Sequence, residues 1–137
     1  MRRLARLNRN RRWKEISIVL ADDREISLIN RKYLARQGAT DVISFCFEPI
    51  PGDNGLFTGE VIVNVQRAVE VANGTKKREQ WDASRELALY IAHGCDHLLD
   101  ESDYDPAGRR RMRRRELRWL KDAAEQNLTD DLITIRG

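Results

Sequence analysis

The 137-residue chain has only two cysteines, three prolines, eight glycines and nine aromatic residues. Each shortage excludes something. Cys46 and Cys95 are too few for a disulfide scaffold, so a reducing compartment is the default. So little glycine and proline excludes collagen-like and low-complexity chains. No apolar run approaches the roughly 18 residues of a membrane helix, which excludes a spanning segment of that kind. The first residues lack the continuous apolar stretch of a secretory signal. They are arginine-rich and acid-free, as in a transit peptide, but hold no Ser or Thr before Ser17. A cytoplasmic location is therefore expected. Hydrophobic residues at 41% and charged residues at 34% suffice for one charge-heavy core.

The formal net charge of +3 conceals an uneven distribution. Residues 1–14 carry +7, residues 15–108 carry −8 and residues 109–137 carry +4. An acidic body with two basic ends invites an electrostatic function, against the simpler reading of a solvated helix face and a frayed arm.

Local patterns predict seven elements. Glu15–Ala21, Asp41–Glu48 and Gly59–Asn64 are rich in β-branched and aromatic residues and read as strands. Asp22 or Asp23 caps a helix to about Ala35, with Ile26, Ile29 and Tyr33 at helical spacing. Pro49–Gly55 is a loop. Asn64 suits the N-cap of a helix ending near Asn73, with Gly74 as its stop. A long helix is expected from about Arg78 to Leu99, then an acidic loop at 100–105. Pro106 fits the first turn of a last helix to about Gln126. Interleaved strands and helices followed by clustered helices predict an α+β domain around one small twisted mixed sheet. The single domain divides into a basic arm (1–14), a core (15–126) and a tail (127–137).

The two histidines, His93 and His97, are the only ones in the chain and lie four apart on the predicted long helix. That spacing places both rings on one face, as in helical zinc sites, although surface histidine pairs are also common. A third ligand would come from Asp96, Asp100, Glu101, Asp103 or Asp105. Asp100, seven residues after His93, shares its face if the helix continues. Asp96 is offset by about 60° around the helix and suits a supporting or water-facing role. A buried unpaired carboxylate would be costly, so Asp96 should face the cleft or pair. Cys95 points into the apolar stripe. Gly94 stands where the H-E-x-x-H peptidases carry their glutamate base, which disfavours a peptidase.

The run His93-Gly94-Cys95-Asp96-His97-Leu98-Leu99-Asp100-Glu101-Ser102-Asp103 resembles the H-G-x-L-H-L-x-G-Y-D-H motif of the YbeY-type family, bacterial metal-dependent endoribonucleases of rRNA maturation. Thr40-Asp41-Val42-Ile43-Ser44-Phe45-Cys46-Phe47 resembles its T-[DN]-V-L-S-F-P-F block. Gly59-Glu60-Val61-Ile62-Val63 resembles G-D-[IL]-V-I, and Asn30 and Tyr33 match an upstream Asn-x-x-Tyr. The resemblance implies a metzincin-like fold with a central metal-binding helix. It also implies one zinc held by His93, His97 and, by position, Asp103, with Asp100 the alternative. Asp96 is then a candidate proton acceptor, and RNA, with the ribosomal subunit or its proteins, is the expected partner.

The chain also departs from the motif. Asp103 replaces the third histidine, which a carboxylate can do on zinc at the cost of one unit of site charge. Asp100 replaces a turn glycine, and Leu34 replaces an arginine expected to assist cleavage. Arg31, Lys32 or Arg36 substitute for it only if their loop turns inward. Arg109, Arg110, Arg113 and Arg114 are expected to track the RNA backbone. Few aromatics imply weak base stacking. Only fourteen residues precede the first strand, fewer than the family usually carries, so an apolar surface there is expected to be exposed or covered by a partner. The departures also allow a degenerate member that binds RNA or ribosomes without cleaving.

Overall fold

The computed structural model describes residues 11–74, 81–99 and 105–133. Seven elements follow in the order β1 (Trp13–Ala21), α1 (Asp23–Leu34), β2 (Val42–Phe47), β3 (Phe57–Asn64), α2 (Val65–Gly74), α3 (Ala83–Leu98) and α4 (Pro106–Glu125). The sheet order is β1-β3-β2, with β1 parallel and β2 antiparallel to the central β3. This is the expected small mixed sheet packed by helices. The one clear boundary change is the start of the long helix. Asp82 is extended and accepts a hydrogen bond from the Arg85 amide, so α3 begins at Ala83 rather than near Arg78.

The capping chemistry follows the sequence. Asp22 caps α1 through the Glu25 amide, and Asp105 caps α4 through the Gly108 amide with Pro106 in the first turn. Asn64 ends β3 and caps α2, its Oδ1 accepting from the Arg67 amide at 3.0 Å. Its Nδ2 donates to Asp23 Oδ1 at 2.6 Å and to the Thr40 carbonyl at 3.1 Å, so this fully buried amide joins three segments. Asn30 is likewise structural. Its Nδ2 donates to the Gly38 carbonyl at 3.0 Å and pins the loop after α1.

Alternation along the strands separates two cores. Ile43, Phe45 and Ile62 face α1, where they pack on Ile26. Cys46, Val61 and Val63 face α2 and α3, against Ala68, Leu87, Tyr90 and Leu98. The sheet therefore stands between α1 and α3. Tyr33 packs edge-on against Phe45, with ring centroids 5.8 Å apart. On edge strand β1, Ile16, Ile18, Val19 and Leu20 remain exposed, Leu20 by 59%. The apolar surface expected at the first strand is present, uncovered by the described residues.

α3 lies very close to the sheet. A Cβ at Gly94 would stand 2.4 Å from Val61 Cγ1 and 2.8 Å from Val42 Cγ2. A Cβ at Gly59 would stand 2.8 Å from Leu98 Cδ1. Helix glycine meets strand valine, and strand glycine meets helix leucine. The Ser44 hydroxyl donates to the Gly94 carbonyl at 2.7 Å and fastens the same turn to β2. Gly94→Ala should therefore destabilise the fold by about 1–3 kcal/mol through overpacking, although alanine is the better helix former. Urea denaturation measures this; an unchanged or higher midpoint would contradict so close an approach.

Candidate metal centre and cleft

The turn that Gly94 and Ser44 hold against the sheet is the turn that carries both histidines. The Nε2 atoms of His93 and His97 lie 3.0 Å apart, with ring centroids 4.5 Å apart and planes 79° to each other. Tetrahedral zinc with Zn–N bonds of about 2.0–2.1 Å would separate two nitrogen ligands by about 3.3 Å. The pair fits such an ion with a small adjustment.

Behind His93 stands a residue that sequence reasoning missed. Glu116 of α4 places Oε1 and Oε2 at 2.9 and 3.1 Å from His93 Nδ1. A carboxylate only accepts, so Nδ1 carries the proton. In the neutral ring that leaves the Nε2 lone pair facing His97. A carboxylate behind a histidine is the usual support of a metal-bound imidazole. These contacts are the observation by which the donor set fits zinc. Among the described residues no cluster of three His, Cys, Asp or Glu groups forms a complete metal site. Asp100, Glu101 and Asp103, the expected sources of a third ligand, lie outside the described residues. Asp105 is taken up as the α4 cap.

Of the two expectations for Asp96, facing the cleft or pairing, the second holds. Asp96 is fully buried, and its Oδ1 accepts from Arg115 Nη2 at 2.5 Å and Nε at 3.2 Å. No described donor reaches its Oδ2. Burial raises its pKa to about 6, with the Arg115 hydrogen bond opposing the rise and the neighbouring Glu116 carboxyl adding to it. A group without exposure is poorly placed to take a proton from water in a cleft. Cys95 packs against the α3 side of the core, and burial raises its pKa too.

His93 and Glu116 form part of the wall of a cleft of about 460 Å³ between α2, α3 and α4. Arg67, Arg109 and Arg113 also line it. So do Asp41, Glu86 and Glu116, and each of these carboxylates is engaged locally. Asp41 accepts from the Val42 amide and the Thr40 hydroxyl, Glu86 from the Trp81 indole, and Glu116 from His93. Burial and the hydrogen bond to Glu86 raise the pKa of the Tyr90 hydroxyl, keeping it protonated. Neither Arg67 nor Arg113 forms an ion pair among the described residues.

The expected RNA-facing residues are divided by the fold. Arg109 and Arg113, one helical turn apart, line the cleft; Arg110 and Arg114 are exposed beside that stripe. Arg31, Lys32 and Arg36 are exposed on or just after α1, the helix on the other face of the sheet, and none lines the cleft. Leu34 lies on α1 as well, so the family arginine it replaces has no counterpart on that helix aimed into this cleft. Arg67 was not anticipated. Its only signal is its place three residues after the Asn64 cap, in the first turn of α2.

Fold and site together define an α+β domain with a histidine pair on a helix that crosses a small mixed sheet. A family model described as Endoribonuclease YbeY matches residues 2–124. The chain is 39% identical over 102 residues to the Endoribonuclease YbeY of Anaeromyxobacter sp. (strain Fw109-5), covering 74% of this chain and 50% of that protein. It is 34% identical over 114 residues to the Endoribonuclease YbeY of Carboxydothermus hydrogenoformans, covering 83% and 76%. The solution structure of TM1509 from Thermotoga maritima shares the fold, with a TM-score of 0.52 and 18% identity over 89% of this chain and 78% of that one. The chain belongs to the YbeY family. It spans about half the length of the first curated relatives it matches.

The raised pKa of Asp96 has a stability consequence. The folded carboxyl holds its proton more tightly than the unfolded one, so its stabilising contribution is present at low pH and lost as pH rises through about 6. Asp96→Asn keeps an oxygen for Arg115 and cannot ionise. In chelator-treated protein its melting temperature should exceed that of the wild type at about pH 8, with the excess shrinking toward about pH 5. Thermal melts across that range decide the point, and an excess that grows as pH falls would contradict it.

Proposed function

We propose that this protein is a zinc-dependent endoribonuclease acting in rRNA maturation, with one zinc per chain held by His93, His97 and Asp103. The observation that carries the reading is the convergence of the two Nε2 atoms, 3.0 Å apart, beside an arginine-lined cleft. Family membership supports the reaction class. Zinc, when bound, supplies Lewis acidity for phosphodiester hydrolysis.

The chain's own groups do the rest. Glu116 holds the proton on His93 Nδ1 and so presents the Nε2 lone pair. Arg67 and Arg113 draw a phosphate into the cleft and offset negative charge that develops on it. They supply from α2 and α4 the cation that Leu34 cannot supply from α1. Arg109, with Arg110 and Arg114 outside the cleft, extends the contact along the backbone of a single strand. Asp96 holds Arg115 and serves the site through structure.

Metal analysis and an RNase assay on one preparation test the reading. About one zinc per chain is expected, with cleavage of single-stranded RNA, and His93→Ala should lose both. Zinc without turnover would favour an RNA- or ribosome-binding protein of the same fold. Failure to retain zinc under mild purification would overturn the ligand set. Arg113→Glu should weaken RNA binding and flatten its salt dependence by about one phosphate contact or more. Binding indifferent to salt would remove the arginines from the proposal.

A further inference from the structure

We propose that Glu116 is the positioning residue of the metal centre, fixing the tautomer and orientation of His93 from the last helix. The inference rests on the zinc reading for its purpose, but its geometry stands without a metal. The Glu116 side chain is 2% exposed and His93 31% exposed, so the contact has one sheltered and one open partner. Glu116 follows the fully buried Met112 by one helical turn and precedes the buried Leu120 by another. The face of α4 that meets α3 therefore fixes where its carboxylate points. Both oxygens lie within hydrogen-bond reach of Nδ1, so either can accept its hydrogen bond.

Arg115 is the obvious rival. It is the next residue in the chain, and guanidinium binds carboxylate well. Here its Nη2 and Nε both go to Asp96 Oδ1. Asp96 stands where the family motif has an apolar residue, and it gives this guanidinium a carboxylate on α3. The acid in the histidine turn and the arginine beside Glu116 then form one arrangement. Asp96 pairs with the arginine and Glu116 with the histidine.

The two histidines make the test direct, because the chain has only two imidazoles. In metal-free protein at about pH 8, ¹⁵N NMR should show His93 as the Nδ1-protonated tautomer, with His97→Ala used for assignment. Glu116→Ala should shift His93 toward a mixture of tautomers. Zinc affinity, read by competition with a chromophoric chelator, should fall about 10–100-fold in Glu116→Ala. Glu116→Gln, which keeps an acceptor oxygen but no charge, should fall less and largely retain the tautomer. Melting curves of both variants establish that they are folded. An Nε2-protonated His93 in the wild type would overturn the proposal whatever the metal content. Wild-type zinc affinity in a folded Glu116→Ala would overturn it while leaving the zinc reading intact. A wild type with the expected tautomer but no affinity for zinc would overturn the zinc reading and leave the positioning contact standing.

Discussion

The structure depends on how closely α3 lies against the sheet. Gly94 and Gly59 remove the two β-carbons that would keep helix and strands apart, and Val61 and Leu98 occupy the space. At packing density typical of interiors, one methyl group decides such a distance. Ser44 then bonds the Gly94 carbonyl and fixes the turn from the β2 side. His93 and His97 flank Gly94 in sequence, so the seating of this turn also seats both rings. Three of the four sequence blocks of the family resemblance, separated along the chain, meet at this contact. Ser44 comes from one, Gly59 and Val61 from another, and Gly94 and Leu98 from the third.

This explains the uneven legibility of the sequence. The strands, helices and caps were readable because their signals are local: Asp22, Asn64 and Pro106 each act within one turn. The histidine pair was readable because four residues on a helix is itself a local distance. In the sequence Gly94 stands out for the glutamate it is not, whereas its packing against Val61 is a tertiary fact no spacing reveals. Glu116 was hidden for the same reason. In the run Arg113-Arg114-Arg115-Glu116 it resembles one acid neutralising a basic helix face, and only the α3–α4 packing brings it to His93. Arg67 required knowing that the start of α2 opens onto the same cleft.

Charge shows the same division. The basic carboxy-terminal segment is two stripes in space: Arg109 and Arg113 line the cleft, while Arg110 and Arg114 lie outside it. The cationic residues of α1 are separated from both by the sheet. A count of basic residues along the chain cannot make this distinction, because it depends on which face of each helix is turned inward. The acidic centre divides similarly. Glu86 and Glu116 are turned inward with specific donors, in the same cleft wall that Arg67 and Arg113 line.

The cluster of Asp96, Arg115, Glu116 and His93 runs against the interests of stability. Two buried carboxyls stand near one another, no described donor reaches one oxygen of Asp96, and burial, with Glu116 adding to it, raises the Asp96 pKa. An apolar residue at position 96 would spare that desolvation, and replacing buried ion pairs by apolar groups often stabilises a protein. It would also remove the carboxylate that Arg115 holds on α3. The cost of burying these carboxyls falls on the fold, while the contact of Glu116 with His93 falls at the histidine pair.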